Sequence, residues 1–200
     1  GLPVADGGEG TVDCFLEACG GEAVKVTGVS GPYGEKIDAV YARLDETTAV
    51  VEMAATAGLP MVGDKKDPCK TTTYGVGELV RHAVEQGAKH IILGLGGSAT
   101  NDGGCGCAAA LGVKFTDKDG KEFVPVGGTL DQIAGIDVPA AKALLEGVEL
   151  TAMCDIDNPM YGERGAAYIF GPQKGADDEM GKFLDAQLRA KDAAIIKGLD

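Results

Sequence analysis

The alternation of hydrophobic and polar residues predicts β-strands in the first quarter of the chain. Apolar side chains recur at every second position within 24–29, 37–44 and 48–51. A period of two is typical of strands, and the short glycine- and proline-containing turn at 31–34 favours an antiparallel pairing of the first two. We therefore expect a hairpin region in this part of the chain.

Further along, a helical period alternates with short apolar runs. The clearest helix has apolar residues from Val76 to Val84, with Thr71 or Thr72 as its expected N-cap and Gly87 as its stop. The continuous run that follows at 90–95 is typical of a parallel strand buried on both faces. The remaining helices are expected at 11–18, 54–57, 107–111, 139–145 and 177–199, and the remaining strands at 2–4, 113–116 and 148–153. This order predicts the α/β class, with a mixed sheet and helices, and a single α/β unit over 1–200.

Composition excludes several classes of function. With 44% hydrophobic residues and 24% charged residues, the chain can bury a substantial core. The formal net charge of −13 opposes binding to nucleic acids and to anionic membranes. No apolar run approaches the roughly 20 residues of a membrane helix, and the first residues lack the pattern of a secretion signal. We expect a cytoplasmic protein with no nucleic-acid or membrane partner.

Neither cysteine nor histidine spacing predicts a metal site. The six cysteines include no Cys-x-x-Cys pair, and the only two histidines, His82 and His90, are eight residues apart without a neighbouring acidic pattern. The cysteines are expected to be small buried hydrophobic residues.

The 32 glycines are clustered, and they point to three loops of one design. In the segments 6–11, 94–104 and 155–165, a strand ends in small residues and acids just before a helix. Ligands of open α/β sheets bind at such carboxyl ends of strands. We refer to these segments as the first, middle and third loops.

The middle loop has two interpretations. Its glycines could simply allow a sharp turn from strand to helix. However, Ser98, Thr100, Asn101 and Asp102 supply more hydrogen-bonding side chains than a turn and one N-cap use, so the loop is also a plausible cradle for phosphate beside a helix N-terminus.

Another pattern overlaps the same loop. Gly94-x-Gly96-x-x-Ala99 fits the fingerprint of an NAD(P)-binding Rossmann domain, and Asp117 ends the next predicted strand about 20 residues on. Against this alternative, Gly103 and Gly104 fall where the dinucleotide helix should be regular. No P-loop sequence occurs, so kinase chemistry would need another phosphate cradle.

Acids and cations in the loops supply candidate chemistry. Phosphoryl transfer needs carboxylates near the attacking hydroxyl, Mg²⁺ across the phosphates and positive groups for the developing charge. The acids available in the loops are Asp6, Glu9, Asp102, Asp155 and Asp157. Each alone is as well explained by a cap or a turn. Arg164 and Lys174, which lie among glycines, could bind a carboxylate or a phosphate, although an isolated surface lysine is usually only solvated.

Taken together, the loops carry a family resemblance. The chain resembles the glycerate kinase family of the bacterial glycerate 2-kinase type. The residues that carry the resemblance are Ala5-Asp6-Gly7-Gly8-Glu9-Gly10-Thr11, Thr73-Tyr74-Gly75-Val76-Gly77-Glu78-Leu79, 94–104, Cys154-Asp155-Ile156-Asp157-Asn158-Pro159 and Phe170-Gly171-Pro172-Gln173-Lys174-Gly175.

The resemblance implies ATP-dependent phosphorylation of D-glycerate with Mg²⁺. It also implies a two-domain α/β enzyme in which one domain is inserted into a Rossmann- or flavodoxin-like domain, with the site between them. The chain is then expected to be mostly the inserted domain, with parts bordering the other one. The family's N-terminal Ser-Phe-Lys-Gly-type block and its C-terminal glycine-rich block are absent from these 200 residues. We expect a fragment that lacks part of the family's implied site.

Loop position and resemblance together assign candidate roles. The expected catalytic residues are Asp6, Asp102, Asp155 and Arg164. The expected substrate- and nucleotide-binding residues are Gly7, Gly8, Glu9, Thr11, Gly96, Gly97, Ser98, Thr100, Asn101, Gly103, Asn158 and Lys174. Metal ligands are not assigned, and a homo-oligomer is compatible with the sequence. A non-catalytic structural domain is the third class of function left open.

Overall fold

A five-stranded mixed sheet forms the centre of the computed structural model, which describes residues 7–199. Its strands, in order across the sheet, are β1 (Glu22–Ser30), β2 (Lys36–Arg43), β3 (Thr48–Glu52), β4 (His90–Gly94) and β8 (Glu149–Met153). The first three strands pair antiparallel, and β4 lies parallel between β3 and β8. The predicted α/β class, hairpin and mixed sheet are therefore confirmed. The predicted strand at 2–4 lies outside the described residues.

The burial of β4 differs from the prediction. Ile91 and Gly94 are buried, but Ile92 and Leu93 are only partly covered, and the neighbouring β8 is exposed along most of its length. The run is therefore not fully buried on both faces. The reason is that few of the side chains in residues 7–199 pack over this end of the sheet, where β8 is the outermost described strand.

A second, smaller sheet was only partly foreseen. It contains β5 (Lys114–Thr116), β6 (Glu122–Phe123) and β7 (Gly135–Asp137), all antiparallel, with β5 in the middle. Only β5 was predicted from the sequence. Strands of two or three residues are too short to show a period, which explains why β6 and β7 were missed.

Eight α-helices surround the sheets in the described part of the chain. They are α1 (Thr11–Cys19), α2 (Ala54–Ala57), α3 (Leu59–Val62), α4 (Tyr74–Glu85), α5 (Cys105–Ala110), α6 (Pro139–Leu144), α7 (Ala166–Ile169) and α8 (Asp178–Leu199). The expected N-cap of α4, Thr71 or Thr72, was wrong. The residue at that position is Thr73, whose hydroxyl does not cap the helix but donates to Asp102.

The helices pack against the two sheets and form separate clusters of buried side chains. Helices α2 and α4 cover one face of the five-stranded sheet, with Leu79 and Val80 completely buried, while α1 covers the other face through Val12. Helix α8 packs beside the small sheet through Leu184 and Leu188. Within residues 7–199, no helix combines the length and the apolar character needed to cross a bilayer. The assignment of the chain to an inserted domain stays a prediction.

Candidate functional site

The ends of the first loop, the middle loop and β8 meet in space. The main-chain NH of Gly96 donates to the carbonyl oxygen of Gly7 (2.9 Å), and the NH of Leu95 donates to that of Met153 (3.2 Å). A Cβ atom on Gly96 would lie 2.8 Å from both the N and Cα atoms of Gly8. Only glycine allows backbones to approach this closely, so the glycines bring the loops together as well as shaping each turn.

A cavity of about 370 Å³ opens where the middle and third loops meet. Its wall consists of the middle-loop residues 95–98, residues 153–156 and 158–160 of β8 and the third loop, and the residues Ala166, Phe170, Gln173 and Lys174. The first loop packs behind this wall, against Gly94 and Gly96. Six of the predicted site residues therefore line one cavity, namely Gly96, Gly97, Ser98, Asp155, Asn158 and Lys174.

Main-chain NH groups of the middle loop are available at the cavity. Those of Gly97 and Ser98 make no hydrogen bond to any described residue. The Ser98 hydroxyl lies 2.6 Å from the Thr100 hydroxyl and accepts from the Thr100 NH (3.0 Å), which fixes the turn. Free main-chain NH groups in a glycine-rich turn are typical of anion-binding loops.

Asp102 has a different environment from the one expected of a catalytic acid. It is 1% exposed, and its carboxylate accepts from the NH and the hydroxyl of Thr73 (2.9 and 2.7 Å). It also accepts from the NH groups of Gly104 (3.0 Å) and Gly106 (3.1 Å). With its oxygens occupied by protein donors, Asp102 joins the N-terminal ends of α4 and α5. This geometry favours an anchoring role over contact with substrate.

Of two other middle-loop residues, Asn101 is buried and Gly103 is exposed. Asn101 is 5% exposed, and its side-chain NH₂ has no hydrogen-bond partner in the described part of the chain. Gly103 has a φ of 58° and passes close to Lys191 of α8, with an added Cβ 2.9 Å from the Lys191 Nζ atom. Neither residue lines the cavity, so the predicted direct contacts of Asn101 and Gly103 with substrate are not supported by their positions.

Lys174 is the cation of the cavity wall. Its ammonium donates to the carbonyl oxygen of Thr100 (2.6 Å), so the side chain spans from the turn Pro172–Lys174 to the middle loop. Burial lowers the pKa of Lys174 from 10.5 to about 8, and the nearby Asp102 carboxylate partly offsets that effect. Lys174 is therefore mostly charged at pH 7 and mostly neutral above pH 9.

We expect anion binding at the cavity to weaken as the pH rises from 7 to 9. Since Lys174 loses its proton in this window, the dissociation constant of ATP should increase, and calorimetric titrations at each pH measure it. In the K174R variant the guanidinium stays charged, so the dissociation constant of ATP should change little across this pH range. An equal pH dependence in both proteins would contradict the assignment.

The third loop contributes one exposed acid. Asp155 lines the cavity and makes no hydrogen bond or ion pair with any residue in 7–199. Asn158 also lines it, but its side-chain NH₂ donates to the carbonyl oxygen of Arg164 (2.9 Å). Arg164 is 72% exposed, pairs with Asp157 at 3.7 Å and does not line the cavity. The structure thus brings Asp155 to the site and leaves Arg164 on the surface.

The first loop forms the back of the site. Gly7 and Gly8 are buried against the middle loop, Glu9 is exposed, and the Thr11 hydroxyl donates to the Gly8 carbonyl oxygen (2.7 Å). The NH of Val12, at the start of α1, donates to the Glu52 carboxylate (2.9 Å). This helix N-terminus already holds an acid. Asp6 lies outside the described residues, and its predicted role stays a prediction.

Sequence reasoning missed two features of the site. The first is the apolar part of the cavity wall, which includes Met153, Met160 and Phe170. The second is the attachment of the third loop to α8, where Asp185 accepts from the Gly162 NH (2.6 Å) and pairs with Arg189. The i, i+4 spacing of Asp185 and Arg189 was a visible signal for a helical ion pair, but it could not reveal the contact with a loop.

The structure contradicts the Rossmann alternative. In a dinucleotide-binding fold, a helix begins within the glycine motif so that its N-terminus faces the pyrophosphate. Here the residues after Gly96 continue as a loop, and α5 begins only at Cys105. Gly94 and Gly96 instead pack against the first loop.

Two cysteines are unsuited to thiol chemistry, and the described residues form no all-protein metal cluster. Burial raises the pKa values of Cys105 and Cys107 to about 12, so neither thiol ionises near neutral pH. Residues 7–199 contain no group of three or more His, Cys, Asp or Glu side chains arranged to hold a metal by themselves.

Comparison with known proteins agrees with this geometry. The model of the glycerate kinase family matches residues 1–199. A glycerate kinase from Bacillus cereus is 50% identical over 190 residues, which cover 94% of this chain and 50% of that protein. The glycerate 2-kinase of Escherichia coli K12 is 46% identical over 200 residues, covering 99% of this chain and 52% of that protein.

A solved structure is similar throughout the chain. A crystal structure described as glycerate kinase 2 from Salmonella typhimurium LT2 superposes with a TM-score of 0.92 at 44% identity, over 99% of this chain and 53% of that one. The chain thus spans about half the length of the curated relatives it matches. Because the family model matches nearly every residue, the chain belongs to the glycerate kinase family.

Proposed function

We propose that this chain carries part of the site at which ATP phosphorylates D-glycerate. The observation that supports the proposal most is that the residues lining one cavity include Gly97 and Ser98 with free NH groups, the cation Lys174 and the exposed acid Asp155. Kinase catalysis consists mainly of positioning and charge stabilisation, and these are the groups it requires. The relatives named glycerate kinase support the choice of glycerate as the acceptor.

In this reaction a hydroxyl oxygen of glycerate bonds to the γ-phosphorus of ATP, and the bond from that phosphorus to the bridging oxygen of ADP breaks. The NH groups of Gly97 and Ser98 and the Lys174 ammonium bind the phosphate oxygens. The proton of the hydroxyl needs an acceptor, and Asp6 remains the candidate for this role. Asp102 acts by holding the middle loop in place.

The residues present also fit a magnesium ion. Mg²⁺ is usually held by one or two carboxylates together with substrate phosphates, so the lack of a larger acidic cluster among the described residues is no obstacle. Asp155 is the suitable ligand because it lines the cavity and its carboxylate has no partner within residues 7–199. When bound, Mg²⁺ neutralises charge on the phosphates.

We expect the full-length protein to form ADP in a glycerate-dependent manner, as measured by a coupled assay. The D155N variant should lose about 10²- to 10³-fold in kcat, because one preorganised charge at the phosphates is removed. Its matched control is D157N, since Asp157 is 93% exposed and does not line the cavity. ADP formation independent of glycerate, or equal activity of D155N and D157N, would contradict the proposal.

The same samples separate the other two classes of function. A dinucleotide-binding domain would bind NAD and show no ATP turnover. A non-catalytic structural domain would bind neither ATP nor glycerate.

A further inference from the structure

The cavity is larger and more apolar than a hydroxy acid needs. Its volume of about 370 Å³ falls in the roughly 300–1,000 Å³ range of pockets that hold drug-sized ligands. Glycerate is small and carries an oxygen on every carbon, so it gains little from contact with thioether and phenyl groups. The apolar part of the wall therefore calls for a different ligand group.

The wall combines polar and apolar residues. Ser98, Asp155 and Lys174 supply hydrogen-bonding and charged groups. Apolar side chains come from the end of β8, the third loop and the segment around α7, namely Met153, Ile156, Met160, Ala166 and Phe170. A ligand that matches both sets of residues combines an anionic part with an apolar part, as a nucleoside triphosphate does.

We propose that this apolar wall, formed by Met153, Ile156, Met160, Ala166 and Phe170, binds the purine base of the nucleotide. This inference rests on the proposed function. Aromatic rings and methionine sulfur pack favourably against a planar heterocycle. The phosphates then extend toward Ser98 and Lys174, and the hydroxy acid lies beyond the last phosphate.

Contacts with α8 keep this wall in place without a ligand. The Gly162 NH donates to Asp185 (2.6 Å), and the Arg189 guanidinium lies 4.7 Å from the centre of the Tyr161 ring. The Tyr161 hydroxyl donates to Asp192 (3.0 Å). These contacts fix the residues that directly follow Met160. A preformed apolar surface binds its ligand without the added cost of ordering a loop.

The methionines of this chain provide the test. In protein labelled with ¹³C at the methionine methyl groups, millimolar adenosine should shift the signals of Met153 and Met160, because a bound purine changes the local ring current. Met61 and Met180 lie outside the cavity wall and serve as internal references. Adenosine is the probe because it has no phosphate and so reports on the base alone. D-glycerate should leave the Met153 and Met160 signals nearly unchanged.

Enzyme kinetics test the proposed binding of the base independently. In the full-length enzyme, M160A should raise the KM for ATP about three- to tenfold while leaving the KM for glycerate unchanged. M61A is the matched control, since Met61 and Met160 are both 41% exposed and only Met160 lines the cavity. M61A should leave both constants unchanged.

The outcomes separate the two proposals. If adenosine leaves Met153 and Met160 unshifted and M160A behaves like M61A while glycerate-dependent ADP formation persists, the base lies elsewhere and only the inference about the apolar wall is wrong. If ADP formation is absent and ATP does not bind, the proposed function itself fails.

Discussion

Replacing Asp102 with alanine is expected to destabilise the protein by about 3 kcal/mol or more. The substitution leaves the buried donors of Thr73 and Gly106 and the partly buried NH of Gly104 without an acceptor, and each unsatisfied buried donor costs about 1–3 kcal/mol. The measurement is the free energy of unfolding from urea denaturation. D102N should lie between wild type and D102A, because asparagine keeps one acceptor oxygen and places an NH₂ group against a main-chain donor.

The control for Asp102 is Asp119, whose exposed side chain makes no hydrogen bond or ion pair within the described part of the chain. D119A should change stability by less than about 0.5 kcal/mol. The result that would contradict an anchoring role is a D102A protein as stable as D119A whose turnover alone is lost. That outcome would restore the catalytic role expected from the sequence.

Replacing Gly96 with alanine is expected to separate the first and middle loops. The new Cβ would lie 2.8 Å from the N and Cα atoms of Gly8, and neither backbone atom can move without displacing its loop. Such overpacking costs about 1–3 kcal/mol. Calorimetry should also show weaker ATP binding. Displacing Gly96 also moves Gly97 and Ser98, which follow directly in the chain and whose NH groups are proposed to bind the phosphates.

The matched control is Gly181 of α8, where a Cβ would meet its nearest neighbour, the Tyr168 ring, at 3.6 Å. G181A should therefore be neutral or stabilising, since alanine favours a helix. Equal stability and ATP affinity of G96A and wild type would show that the close contact of the two loops is unimportant for the site.

Much of the fold could be predicted because its longer elements are regular. The hairpin strands have a clear period of two, and α4 and α8 have a helical period. The strands and the helices were therefore placed correctly. The two strands β6 and β7 are too short for any period. The predicted N-cap of α4 was wrong by one or two positions. The Thr73 hydroxyl donates to Asp102, which is far away in the sequence, and the sequence does not reveal that contact.

The site was predictable only in part. The loops that bring Ser98, Asp155 and Lys174 to the cavity were identified from glycines and polar residues at strand ends. Sequence could not show that Asp102 is enclosed by main-chain donors or that Arg164 points to solvent, because both depend on contacts between loops. The apolar wall was missed because third-loop residues have no period that marks a shared face.

The most direct test of the central claim, that the middle and third loops form one nucleotide site, is an NMR titration of ¹⁵N-labelled protein with ATP and Mn²⁺ in place of Mg²⁺. The paramagnetic ion broadens the amide signals closest to it. We expect the strongest broadening at Gly97, Ser98 and Asp155, with little effect at Asp119, which lies in the turn after β5 and does not line the cavity. Broadening confined to residues outside these loops would contradict the account.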